Sequence, residues 1–237
     1  MAKYNIIDIF RDEGLVKNPG FHSFVLKSLF GNIYFNNKTV VDVGSGNGKY
    51  SFFAANSGAK KVYSLEPEAD GSGYGNMMEK YTNVMEKYDL NNVELRKETL
   101  SSFIQNKLGI LNVDIVMLIN SINHIDEDSV ELVHKDRNSL INYLLIFKEI
   151  YDFVPAGCEI IITDSPRDNF LANLGLINPI YSMIEWEKHQ SPRIWEKLLL
   201  KSGFTNIELF WLLPGPMRHS DTLAYLFGCP FVIYCNK

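Results

Sequence analysis

The apolar positions of the chain change period at residue 39. Before it, residues 5–35 read as two short helices, broken at the turn signal Asn18-Pro19-Gly20. In the second, Phe21, Val25, Leu26, Leu29 and Phe30 recur at helical spacing and share one face. From Thr39 onward, short β-branched runs alternate with amphipathic stretches. Thr39 to Val43 (TVVDV) has the character of a buried parallel strand. A glycine-rich turn follows, then a helix from Lys49 to Asn56 stopped by Ser57-Gly58. Further strands are predicted at 61–65, 93–96, 113–119 and 159–163, and a helix at 77–87. Asp126 can cap a helix that runs, with a break near Asp136, to Phe153. Ser191-Pro192 begins another, and Gly203 stops it. Residues 206–212 and 231–235 read as two closing strands, with no helix between them in the Pro- and Gly-rich stretch 214–230.

Strand and helix alternating in this way predict an α/β fold: a Rossmann-like, doubly wound, seven-stranded sheet, mostly parallel, with helices on both faces. Two strands joined without a crossover helix pair antiparallel, so the sheet is expected to end in an antiparallel pair with an antiparallel C-terminal edge strand. Residues 1–36 form an N-terminal helical cap, or lid. Residues 37–237 form the main domain, with variable insertions near 166–188 and 214–230.

Composition narrows the partners. The 237 residues are 46% hydrophobic and 22% charged, enough for one α/β core. Lys and Arg number 23 against 28 Asp and Glu, a net charge of -5, which argues against a dedicated nucleic-acid binder. The three cysteines, Cys158, Cys229 and Cys235, form no CxxC pair, so free thiols in a reducing cytoplasm are expected. The first residues lack a secretory signal, and the longest apolar stretch, 140–154, is too short and too charged to span a bilayer. No His/Asp cluster suggests a metal.

The chemistry is concentrated in Val40-Val41-Asp42-Val43-Gly44-Ser45-Gly46-Asn47-Gly48. In an open parallel sheet a ligand lies at the carboxyl ends of the strands. The turn after the first strand must let backbone approach that ligand, which glycine permits, and the next helix offers free N–H groups. The spacing is not the dinucleotide fingerprint G-x-G-x-x-G but D-x-G-x-G-x-G, with Asp42, Gly44, Gly46 and Gly48 all in place. It resembles the first motif of class I S-adenosylmethionine-dependent methyltransferases of the small-molecule type. The resemblance follows the order of elements over about residues 39 to 212 and includes the final strand.

It implies S-adenosyl-L-methionine as cofactor, with Asp42, Gly44, Ser45, Gly46 and Gly48 around its amino-acid part. Glu66, at the end of the second strand, would accept from the ribose hydroxyls, with Pro67 beside it and Glu68 as the alternative carboxylate. Glu98 or Thr99, followed by Leu100, would meet the adenine. Asn120 and Ser121 would pass the methionine end. The N/D-P-P-Y/F stretch of nucleobase and amide methyltransferases is absent from Asn120-Ser121-Ile122-Asn123-His124-Ile125.

The expected reaction is methyl transfer to a small-molecule acceptor, with O-methylation of a metabolite or sugar hydroxyl first and N- or C-methylation after it. A catalytically silent cofactor-binding module acting through a protein partner is the reading from another class. A hydroxyl acceptor needs a base. His124 is the first candidate because imidazole titrates near neutrality, Asp164 and His189 come next, and His22 could close over the acceptor. Aromatics in the variable parts (Phe21, Phe170, Tyr181, Trp186, Trp211, Tyr225) suit either an acceptor wall or lid packing. An exposed edge is also compatible with a homodimer.

Overall fold

The computed structural model describes residues 4–67, 77–107, 112–176 and 184–237. The chain divides after Met117 into two compact units.

The first unit opens with α1 (Ile6–Asp12) and α2 (Pro19–Phe30). Asn5 and Asn18 cap them, accepting from the N–H groups of Ile7 and Phe21, and Pro19 stands where a helix needs no donor. The buried face of α2 is Val25, Leu26, Leu29 and Phe30. Phe21, predicted on that face, is exposed. Then come β1 (Thr39–Val43), α3 (Lys49–Asn56), β2 (Lys61–Leu65), α4 (Met77–Lys87), β3 (Val93–Arg96) and α5 (Leu100–Lys107). β4 (Ile115–Ile119) begins two residues later than the apolar run suggested. Asp114 is the reason: its carboxylate accepts from the Thr39 N–H (2.8 Å) and the Lys38 ammonium (3.2 Å). The N-terminal helices pack on α3. Phe30 stacks on Phe53 at 5.1 Å, and Tyr4 and Asn56 exchange two hydrogen bonds of 3.0 Å. Residues 4–36 thus share a compact unit with the glycine loop.

The second unit contains α6 (Glu127–Val130), α7 (Arg137–Phe153), β5 (Glu159–Asp164), α8 (Phe170–Asn173), α9 (Pro192–Ser202), β6 (Thr205–Trp211), α10 (Asp221–Phe227) and β7 (Phe231–Asn236). The break near Asp136 is a fresh helix start, its carboxylate accepting from the Ser139 N–H at 2.7 Å. Tyr143 and Trp195 are fully buried with ring centroids 4.9 Å apart, joining α7 to α9. Between β6 and β7 the expectation of no helix fails. Ser220 caps α10, and Gly228 ends it in the left-handed conformation. Those two signals sit inside the Pro- and Gly-rich stretch that hid the helix. The strands pair antiparallel all the same.

The strands form one seven-stranded sheet in the order β3-β2-β1-β4-β5-β7-β6. β1 pairs parallel with β2 and β4, and β2 with β3. β7 runs antiparallel to both β5 and β6. The sheet therefore ends in the expected antiparallel pair, with C-terminal β7 as its inner member and β6 outermost. Strand order reverses between β1 and β4, the topological switch point where open α/β sheets take their ligands. Among the described residues no helix is long and apolar enough to cross a membrane.

Candidate functional site

Gly44, Gly46 and Gly48 leave β1 with φ of 66°, 54° and 79°, a left-handed region that costs other residues roughly 1–2 kcal/mol. Three hydrogen bonds latch the turn. Ser45 N–H donates to Leu65 O (2.9 Å), Gly48 N–H to Ser45 O (2.9 Å), and Gly46 N–H to Glu66 Oε2 (2.8 Å). The glycines have different reasons. A Cβ on Gly46 would meet nothing within 4 Å among the described residues, so that position faces away from them. A Cβ on Gly48 would lie 2.5 Å from Tyr81 Cε2 and 2.7 Å from Phe52 Cζ. Gly48 therefore packs the loop onto α3 and α4, a role beyond the one the resemblance implies. Gly48→Ala is expected to destabilise the fold by roughly 2–5 kcal/mol, combining backbone strain with overpacking. Chemical denaturation measures this, and an unchanged midpoint would refute the packing role.

Asp42 is buried beneath the loop. Its Oδ2 accepts from Ser51 Oγ (2.7 Å), which itself lies 2.9 Å from Ser64 Oγ. Burial drives its pKa up, the Ser51 hydroxyl and N–H pull it back, and the charge of Glu66 adds to the rise, leaving it at about 7. The folded pKa exceeds the unfolded one, so the folded state holds the extra proton. That contribution to stability is complete below pH ~4 and is lost as pH rises through about 7, at roughly 1.4 kcal/mol per pH unit. Asp42→Asn keeps an acceptor for Ser51 and removes the ionisation. Thermal melts from pH 5 to 8 should show the wild type losing stability and the variant losing less. Parallel profiles would mean that another group titrates.

Glu66 is half-buried and Pro67 exposed, both at the end of β2, while Glu68 lies outside the described residues. Glu98 is drawn into a network, accepting from Arg96 Nε (2.7 Å), Asn106 (3.1 Å) and Ser102 (3.3 Å). Burial works to raise its pKa, but Arg96 and the amide and hydroxyl donors outweigh it and hold it below the ordinary carboxylate range. Thr99 Oγ1 accepts from the Ser102 N–H and so caps α5, whose first residue, Leu100, is buried. His22, on α2, stacks on Tyr50 at 6.2 Å, and its Nε2 is buried without a partner. Burial, with Lys49 adding, lowers its pKa to about 4 and keeps it neutral at physiological pH.

In the second unit, Asn120 takes a left-handed turn (φ 55°) after β4, and its N–H donates to Thr163 O (2.8 Å). Ser121 is buried, with no partner for Oγ. A 3-10 turn, Ile122–His124, follows, held by the Tyr143 hydroxyl, which donates to Ile122 O (2.9 Å) and Asp126 O (3.2 Å). His124 points outward, its side chain 56% exposed. Both of its nitrogens are engaged, Nδ1 by Glu127 (2.7 Å) and Nε2 by Asn123 Nδ2 (3.3 Å). Asp164 and His189 are different. Asp164 ends β5 and is buried, and its Oδ1 accepts from the Ser165 N–H (2.8 Å) and from His189 Nδ1 (2.9 Å). A hydrogen on Nδ1 leaves a lone pair on His189 Nε2, which has no protein partner among the described residues. Asp164 Oδ2 is also unpartnered, and an unsatisfied buried polar atom costs about 1–3 kcal/mol.

The two variable insertions meet, Asn173 of α8 donating to the Tyr225 hydroxyl of α10 at 3.1 Å. Phe170 and Tyr225 are exposed there, Trp186 is half-buried, and Trp211 Nε1 donates to Asp221. Tyr181 lies outside the described residues. Sequence reading passed over Ser51, Ser64 and Gln190 as site residues. Gln190 is fully buried and donates to Val130 O, leaving Oε1 unpaired. Its only signal in the sequence is its place beside His189.

No protein-family model matches the sequence, and no curated protein matches it significantly. Solved structures do match the fold. An S-adenosylmethionine-dependent methyltransferase from Archaeoglobus fulgidus superposes with a TM-score of 0.62 at 11% identity, covering 96% of this chain and 99% of the other. One from Aquifex aeolicus gives 0.57 at 16%, covering 99% of each. The cyclase SpnF gives 0.57 at 10%, covering 92% and 82%. At these identities the likeness is one of fold, which hosts more than one chemistry.

Proposed function

We propose that this chain, folded as a class I S-adenosylmethionine-dependent methyltransferase, moves a methyl group from that cofactor to a hydroxyl of a small metabolite or sugar. The observation that carries the reading is the open side of Gly46 beside Glu66, at the switch point of the sheet. The residues present suit the cofactor. Gly46 offers a cradle that any side chain would fill, and buried Ser45 Oγ lacks a partner. Glu66, a carboxylate with two acceptor oxygens, is assigned to the ribose hydroxyls. Asp42, Gly44 and Gly48 shape the loop around the amino-acid part. Pro67 flanks the ribose, and Glu98, Thr99 and Leu100 are assigned to the adenine edge. In the second unit, Asn120 and Ser121 are assigned to the methionine end.

When bound, the cofactor supplies a sulfonium-activated methyl group for in-line attack. The protein's part is to orient the acceptor and take its proton. We assign the base to His189. Asp164 fixes its tautomer, and Nε2 is free to receive a proton. His124 would have to give up Asn123 or Glu127 to do the same. Calorimetric titration with S-adenosylmethionine and S-adenosylhomocysteine, with NAD as control, tests the cofactor. Micromolar binding of both with NAD silent is expected, and absence of either sulfur ligand would overturn the reading. An acceptor screen then separates hydroxyl from nitrogen or carbon methylation. Binding without turnover on any acceptor would favour a module that works through a protein partner.

A further inference from the structure

Buried polar atoms in folded proteins are paired with few exceptions, so an unpaired group of them marks a place completed by something else. In the second unit five such atoms lie on side chains more than nine-tenths buried: the oxygens Ser121 Oγ, Asn123 Oδ1, Asp164 Oδ2 and Gln190 Oε1, and the indole Nε1 of Trp195, which packs on Tyr143 between α7 and α9. The four oxygens lie on segments that hydrogen bonds tie to the ends of β4 and β5. Asn120 N–H ties the turn after β4 to Thr163, the neighbour of Asp164. Asp164 holds His189, and Gln190, next in the chain, holds Val130 in α6. Tyr143 holds Ile122, between Ser121 and Asn123, and its hydroxyl feels the charge of Asp164.

The partners identify the atoms left over. The Gln190 amide gives its N–H to a carbonyl, so its free atom is the oxygen. Asn123 Nδ2 lies 3.3 Å from His124 Nε2, and its amide oxygen is the atom left without a partner. Asp164 has Oδ1 filled twice and Oδ2 empty. Of the four oxygens, those of Asn123, Asp164 and Gln190 only accept and the Ser121 hydroxyl can do either, while Trp195 Nε1 is set back between α7 and α9. The cations of this region are engaged with other groups, Lys188 with Glu127 and Glu185, and Arg167 with the carbonyls of Glu131 and Glu187.

Resting on the methyltransferase reading above, we infer that these oxygens select an acceptor by its hydrogen-bond donors: a polyhydroxylated or amino-hydroxylated small molecule that carries no acidic group. Hydroxyl or ammonium hydrogens complete the three oxygens. A carboxylate or phosphate brings lone pairs and negative charge to groups that have nothing to donate, so the same atoms reject acids.

The test uses matched series that differ in one group: glucosamine, glucitol and gluconate, then serinol, glycerol and glycerate. S-adenosylhomocysteine is titrated first, and its failure to bind would count against the cofactor reading alone. Each series is then measured by ligand-observed NMR on the saturated protein, or on the free protein if the cofactor product does not bind. The amino and neutral members should bind, and each acid should bind at least about tenfold more weakly. Asp164→Asn presents an amide in place of the carboxylate and should narrow that gap. Asn123→Asp adds charge at the second free oxygen and should widen it, so either variant decides if the other does not fold. Acids binding as well as their partners, an order that neither variant moves, or no binding by any member would overturn the inference.

Discussion

The Gly46→Arg variant is expected to fold and to bind neither S-adenosylmethionine nor S-adenosylhomocysteine, with affinity reduced at least about 100-fold. Position 46 has φ of 54°, so any side chain there bears left-handed strain of roughly 1–2 kcal/mol, a modest fraction of a domain's stability. The new side chain meets no atom of the described residues within 4 Å at Cβ, so the described core is untouched. What it fills is the approach to the loop backbone and to Glu66, whose carboxylate already accepts from the Gly46 N–H. Calorimetry reads the binding, and circular dichroism the fold. Retained affinity would mean that the open face of the loop is not where the ligand lies. The contrast with Gly48→Ala is the sharper check. One glycine should report on ligand and the other on packing, although they stand two residues apart in one motif.

The second large effect is expected at His189. Replacement by Ala should lower methyl transfer, measured on an acceptor found by screening, by about 10²–10⁴-fold, the usual range for a lost general base. Affinity for S-adenosylhomocysteine should stay within a few fold. Asp164→Asn should also slow turnover, because an amide no longer fixes the imidazole with its hydrogen on Nδ1. His124→Ala should be mild by comparison, since it loses only an exposed contact to Glu127 and one to Asn123. Equal turnover in wild type and His189→Ala would remove the Asp164–His189 pair from the chemistry. A large loss in His124→Ala alone would restore the histidine that sequence position favours.

The choice between these histidines shows what kind of information each level carries. His124 stands directly after a strand, where a local pattern can find it. The role proposed for His189 rests on Asp164, 25 residues away and brought to 2.9 Å by folding. Gly48 is similar: it reads as a third motif glycine, and only packing against Tyr81 and Phe52 gives it a steric reason. The pKa of Asp42 near 7 has the same origin, because burial beneath the loop is a property of the sheet and its helices rather than of the residue.

By itself the sequence determined the alternation of strand and helix, the helix starts at Asp126 and Ser191, the breaks at Asn18 and near Asp136, and the D-x-G-x-G-x-G loop with an acid at the end of the next strand. These are local. Period, capping chemistry and glycine spacing act over a few residues, and the backbone responds to them wherever they occur. Tertiary structure decided what depends on distant partners: β7 lying between β5 and β6, α10 within a stretch that looked too rich in Pro and Gly, Phe21 facing outward, and the two-sided use of the loop glycines. It also decided which buried oxygens of Asn123, Asp164 and Gln190 go unpaired. Hydrogen-bond satisfaction is a balance over all neighbours in space, and a sequence pattern holds only the neighbours in the chain.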